Sequence, residues 1–181
     1  MKNTARGVRW TPLILGLALA AGCDSEKKSA QSAAPAASLP ATVVQAETVL
    51  AADFDPQRDP ADDLRTATLA AQREGKRIVL DVGGDWCAWC QRLDAFVDSD
   101  PSVRAFRDAH FVWMKVNYSE ENENISFLSQ FPKAKGYPHL FVLDADGKLL
   151  HSQFTGALEE GKGYDRDKFL AFLKRWAPAR S

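Results

Sequence analysis

Cysteine is scarce in this chain, three residues among 181, which excludes the densely cross-linked scaffolds of small secreted domains. Histidine is equally sparse. His110, His139 and His151 form no close-spaced pair, so the ligand spacing of a structural zinc site is missing. The apolar stretch near the N-terminus, Leu13 to Ala21, is too short to cross a bilayer comfortably. An excess of positive charge is lacking as well. The formal net charge is -1, and taking Lys2, Arg6 and Arg9 from the 23 basic residues leaves 20 against 24 acidic ones, so nothing asks for nucleic acid as a partner. The hydrophobic fraction of 45% suits a globular core, and the length suits one ordinary domain with an appendage.

The chain is organised around Ile78 to Cys90, I-V-L-D-V-G-G-D-W-C-A-W-C. Ile78, Val79, Leu80 and Val82 have the composition of a buried parallel strand, which Gly83-Gly84-Asp85 punctuates. A helix is expected to follow at once. Leu93, Phe96 and Val97 continue from Cys90 at helical spacing, which puts Cys90 on the inward face and Cys87 at the first turn, near solvent. A thiol at a helix N-terminus has its pKa lowered by the unpaired N–H groups and the helix dipole. Cys87 is therefore the expected nucleophile and Cys90, one turn on, the resolving thiol of a dithiol–disulfide exchange.

Other chemistries of C-x-x-C fare less well. Zinc would need two more ligands. Haem attachment requires histidine directly after the second cysteine, where this chain has Gln91. A purely structural disulfide closing so short a loop would staple little. Copper(I), content with two thiolates, is the metal that stays open.

With these residues in view the chain resembles the thioredoxin superfamily, in particular single-domain bacterial thioredoxin-like proteins with a W-C-x-x-C site. The likeness runs from about Pro60 to Pro178. Asp81, six residues before Cys87, matches the family's buried acid, and Lys115 matches the lysine that pairs with it. Tyr137-Pro138 matches the cis-proline that faces the cysteines, and Thr155-Gly156-Ala157 the closing turn after the last strand. Ala88-Trp89 replaces the Gly-Pro of thioredoxins, and His139 follows the proline where threonine is usual.

The resemblance implies an α/β thioredoxin fold, a four-stranded mixed sheet with helices on both faces. Its site would comprise Cys87 and Cys90, with Asp81 and Lys115 serving the proton of Cys90. Tyr137 and Pro138 would offer backbone to an extended substrate segment. Trp86 and Trp89 flank the nucleophile and would form an apolar docking rim. No cofactor and no metal are expected.

At the N-terminus, Lys2, Arg6 and Arg9 precede the apolar stretch, the layout of an export signal over residues 1–22. Ala20-Ala21-Gly22-Cys23 resembles the bacterial lipobox, with Leu19 one place earlier than the preferred leucine. Cys23 is then the lipidated N-terminus of the mature chain; plain secretion is the alternative. Asp24 after the anchor implies retention at the periplasmic face of the inner membrane by enteric-type sorting. Residues 23–58 read as lipidated cysteine and solvated tether, rich in Ala, Ser and Pro, with Thr42 to Leu50 either an added strand or more tether.

The domain proper is expected over 59–178. Asp59-Pro60 opens a helix that Gly75 ends, and Asp100-Pro101 opens another that leads towards His110. Phe111 to Val116 reads as a strand, and Ile125, Leu128 and Phe131 mark a short helix stopped by Pro132. Leu140 to Leu143 and Lys148 to Phe154 flank the turn Asp144-Ala145-Asp146-Gly147 as a hairpin. Gly156 to Gly163 reads as a flexible loop before a last helix capped by Asp165 and carrying Phe169, Phe172, Leu173 and Trp176.

The function expected is an extracytoplasmic thiol-disulfide oxidoreductase, running as a reductase because Ala88-Trp89 adds no charge that would overstabilise the thiolate. Its partners would be disulfide-containing extracytoplasmic proteins, an upstream membrane electron donor and, through the anchor, the membrane; the protein would be a monomer. A copper(I)-binding assembly factor and a non-catalytic docking module are the alternatives.

Overall fold

The computed structural model describes residues 50 and 52–179. Cys23, the signal segment, the tether up to residue 49 and all of the doubtful strand 42–50 except Leu50 lie outside the described residues.

Helix α1 (Pro60–Glu74) starts where Asp59 accepts a hydrogen bond from the Ala61 N–H, with proline in the first turn, where its missing N–H is harmless. It stops at Gly75, whose φ of 65° closes the helix in a left-handed conformation. Strand β1 (Arg77–Gly83), helix α2 (Ala88–Ser99), helix α3 (Pro101–His110) and strand β2 (Phe111–Asn117) follow. Asp100 ends α2 and caps α3 through the N–H groups of Ser102 and Val103. The short α4 (Ile125–Leu128) precedes strands β3 (His139–Leu143) and β4 (Leu149–Phe154), and α5 (Arg166–Trp176) closes the domain under the Asp165 cap.

The sheet order is β2-β1-β3-β4. β1 runs parallel to β2 and antiparallel to β3, which pairs antiparallel with β4, so the sheet is mixed as expected. Both faces are covered, and this is why β1 and β3 read as nearly continuous apolar runs. Val79, Leu140 and Val142 pack with Leu93 and Val97 of α2, Val103 of α3 and Phe169, Phe172 and Leu173 of α5. Ile78, Leu80, Val82 and Phe141 pack on the opposite face with Ala67 and Ala71 of α1 and Phe127 of α4. Alternation along β1 thus aims Asp81 at the α2 side, level with Val79.

Two expectations need correction. The stretch read as a flexible loop is ordered: Thr155–Leu158 forms a 3-10 turn, and β5 (Glu159–Glu160) pairs antiparallel with β6 (Gly163–Tyr164). The cause is non-local, because Leu158 and Tyr164 are buried in the core cluster beneath α5. The helix after Asn124 ends at Leu128, short of Phe131. Phe131 still packs on the α1 side, stacked on Phe141 with ring centroids 5.1 Å apart.

Candidate active site

The end of β1 and the start of α2 build the site. Gly83 is the last residue of β1, and a Cβ there would overlap Cys90 Sγ and stand 3.0 Å from Phe54 Cζ, so the strand needs glycine where the helix closes on it. Cys87 is the N-cap of α2, and its sulfur accepts a hydrogen bond from the Cys90 N–H at 3.1 Å. The two cysteines form a disulfide. A backbone N–H aimed at a sulfur on a helix N-cap is the arrangement that favours a thiolate over a thiol.

Cys87 is not near solvent as expected. It is 4% exposed and Cys90 1% exposed, and the two form a small buried cluster with Phe54, against which Trp89 and Tyr137 pack. One member of this cover, Phe54, belongs to a segment ahead of α1 that the sequence assigns to the tether.

Asp81 and Lys115 are brought together by the parallel β1–β2 register, which places them side by side. Lys115 Nζ donates to Asp81 Oδ2 at 3.2 Å and to Asp94 Oδ1, on α2, at 2.7 Å. Trp113 Nε1 also donates to Asp81 Oδ2, at 3.2 Å, while buried Oδ1 has no hydrogen-bond partner. Burial pulls the Lys115 pKa down, but the charges of Asp81 and Asp94 outweigh it and the net direction is upward. Burial likewise raises the Asp94 carboxyl, against the opposing pull of Lys115. Asp94 and Trp113 went unrecognised in the sequence. Asp94 stands four residues after Cys90 on α2, and that spacing is the signal that could have found it.

The Tyr137-Pro138 bond is cis. Thr155 Oγ1 donates to the Pro138 carbonyl at 2.6 Å, so the turn after β4 supports the proline from below. Tyr137 stacks on Tyr118 with centroids 4.6 Å apart and meets the edge of Trp86 at 5.8 Å. Burial pushes its phenol up to about 12. Trp86 is 58% exposed and is pinned by its Nε1–H to the Tyr118 carbonyl at 2.7 Å. The two tryptophans differ: Trp89 is half-buried, packed edge-on against Tyr164 at 5.7 Å with Arg92 over its ring.

His139, next to the proline, faces the α1 side, away from Asp81. Its Nε2 lies 2.8 Å from Ser152 Oγ, and burial lowers its pKa to about 4, leaving a neutral ring. His110 Nδ1 meets the Phe106 carbonyl at 2.9 Å, and His151 stacks on Trp176. Among the described residues no group of three or more His, Cys, Asp or Glu could hold a metal ion, and no helix is long and apolar enough to cross a membrane.

Comparison with known proteins places this geometry. A family model described as thioredoxin-like matches residues 59–145. The chain is 29% identical over 129 residues to the thiol:disulfide interchange protein DsbD of Pseudomonas fluorescens, covering 70% of this chain and 20% of that protein. It is 28% identical over 76 residues to the disulfide bond reductase DsbH of Chlamydia pneumoniae, covering 38% of this chain and 45% of that one. The chain thus spans only a part of these relatives. Among solved structures, a disulphide isomerase from Xylella fastidiosa superposes with a TM-score of 0.59 at 22% identity, covering 67% of this chain and 94% of that one. The DsbD C-terminal domain of Neisseria meningitidis in its oxidised form gives 0.51 at 22% identity, over 69% and 99%. These two likenesses concern the fold. Residues 59–145 are a thioredoxin-like domain, and their paired Cys87 and Cys90 are the equipment of a thiol-disulfide oxidoreductase.

Proposed function

We propose that this protein reduces disulfides in extracytoplasmic proteins, held at the membrane by a lipid on Cys23 and recharged by a membrane-bound dithiol donor. The observation that carries the reading is the Cys90 N–H aimed at Cys87 Sγ at the N-cap of α2, one turn from the thiol that can resolve it. The Cys87 thiolate attacks one sulfur of the partner's disulfide, forming a mixed disulfide and releasing the other sulfur as a thiolate. Cys90 loses its proton and attacks Cys87 Sγ, which expels the partner's second thiolate and closes the internal disulfide. Two electrons pass from the Cys87/Cys90 dithiol to the partner; the donor later returns them by the same exchange in reverse.

Asp81, with an unpaired oxygen and with Lys115 beside it, takes the proton of Cys90 in the second step. On the substrate side, Tyr137 and Pro138 offer backbone to an extended segment. Trp86 is the exposed apolar contact, and Trp89 supports the α2 surface behind it. The names of DsbD and DsbH, one an interchange protein and one a reductase, support exchange chemistry and the reducing direction. The deciding experiment is the Cys87–Cys90 reduction potential, titrated with glutathione buffers. A value more negative than about -180 mV is expected, and each further ~30 mV adds about 1.4 kcal/mol in favour of reduction. A value above that limit would make the protein an oxidant instead.

A further inference from the structure

Phe54 lies ahead of α1, outside the span of the family match, yet it is 6% exposed and shares a cluster with both cysteines. Lys115 Nζ sits 4.1 Å from its ring centroid, so the cation of the proton-handling pair rests on the face of this ring. The ring's edge and Cys90 Sγ converge over Gly83. Its segment is irregular backbone rather than part of a helix or strand. That segment is fastened at two points: Asn122 Nδ2 donates to the Pro56 carbonyl at 2.9 Å, and Arg58 donates to both carboxylate oxygens of Asp63, with Nε to Oδ2 at 2.8 Å and Nη2 to Oδ1. Beside the ring opens a groove of about 690 Å³, lined by Phe54, Pro56, Trp86 and Tyr118 among others. Cys87, although it caps a helix at the sheet's end, is only 4% exposed beneath this cover.

We propose that Phe54 is a specificity-determining lid over the dithiol, which must swing off the sulfurs before Cys87 can react with a disulfide. A small disulfide gains nothing in return for displacing the ring. A polypeptide that docks on Trp86, Tyr137 and the groove gains contacts that offset the displacement. The lid therefore selects protein disulfides over small-molecule ones such as oxidised glutathione. This rests on Cys87 being the attacking thiol, as proposed above.

The test compares the full chain with Phe54→Ala and the milder Phe54→Leu, all in reduced form. Three rates are read: alkylation of Cys87 by iodoacetamide, reduction of 2-hydroxyethyl disulfide, and reduction of insulin. Phe54→Ala is expected to speed the first two at least fivefold and insulin reduction less than twofold, so that selectivity for the protein substrate collapses. Phe54→Leu, checked for native near-ultraviolet dichroism, decides by the same criterion if the alanine variant does not fold. A structural role alone would lower stability without splitting small from large substrates. Rises under fivefold in the folded variants, or equal rises for both disulfides, overturn the lid. Faster alkylation with no disulfide reduced by any form would instead sink the proposed reaction and leave the lid standing.

Discussion

Asp81 and Lys115 meet at 3.2 Å across two parallel strands, but they are not equivalent members of the pair. Lys115 has a second carboxylate, Asp94, at 2.7 Å, whereas Asp81 has no other cation among the ion pairs of the described residues. Lys115→Met leaves a buried carboxylate uncompensated and is expected to destabilise the protein by about 3–5 kcal/mol. Asp81→Asn leaves Lys115 with Asp94 and is expected to cost less than about 2 kcal/mol. Urea unfolding of the two variants at neutral pH checks the order; equal losses would show that Asp94 does not hold the ammonium.

Cys90→Ser is expected to accumulate mixed disulfides with partner proteins, whereas Cys87→Ser traps almost none. The asymmetry follows from the proposed roles, in which Cys87 at the helix N-cap attacks and Cys90, 1% exposed, resolves. Non-reducing gels of acid-quenched cells would show bands that dithiothreitol abolishes. Equal trapping by both variants would reject the assignment. No trapping by either, with copper bound in proportion to protein, would favour a copper(I) carrier.

Gly83→Ala places a methyl group against Cys90 Sγ and Phe54 Cζ. Neither neighbour can retreat freely, since the sulfur is tied to Cys87 and the ring is packed on it. A loss of about 1–3 kcal/mol is expected from overpacking, with slower closure of the internal disulfide. Thermal melts and thiol titration during reoxidation measure the two effects.

His139 gives the protein a one-sided acid sensitivity. Its pKa is about 4 when folded against 6.5 for a free side chain, and burial is the main cause. Above pH 6.5 both states hold it neutral and it makes no difference. Between 6.5 and about 4 the unfolded chain takes up the proton and the folded one does not, so stability falls as pH falls. The slope is at most about 1.4 kcal/mol per pH unit from this group. Urea midpoints of the wild type and His139→Asn at pH 7 and pH 4.5 should converge as pH falls; parallel losses would assign the sensitivity elsewhere.

If Cys23 carries the lipid anchor, as proposed, Cys23→Ser is expected to release the mature domain from the membrane or to leave an unprocessed precursor. Labelling cells with a palmitate analogue tests it. A wild-type protein without label would be a secreted one.

Much of the fold was legible because its signals are local. Asp59, Pro60 and Gly75 delimit α1, and the β-branched run before Cys87 marks β1, by rules that act within a few residues. Asp81 and Lys115 were legible only through family likeness, since no local pattern connects residues on neighbouring strands. Phe54 was invisible for the same reason: one aromatic in an aperiodic stretch shows no sign of where it will pack. Cys87 is less exposed than its place at a helix end implies because that residue, with Trp89 and Tyr137, packs on the cysteine pair. Asp94 escaped because α2 was read for its apolar face, and β5 and β6 because two-residue pairings have no periodicity to read.

The groove beside Trp86 also carries Asp85, Glu120, Glu121 and Glu123, none of them ion-paired among the described residues. Fixed charges of one sign beside a cleft project a field into solvent, which steers approaching molecules before any contact forms. At about 0.1 M salt that field reaches only about 10 Å, and dilution extends it. The rate at which partners arrive at Cys87 will therefore depend on ionic strength in opposite senses for basic and acidic proteins, even when the sulfur chemistry that follows is the same.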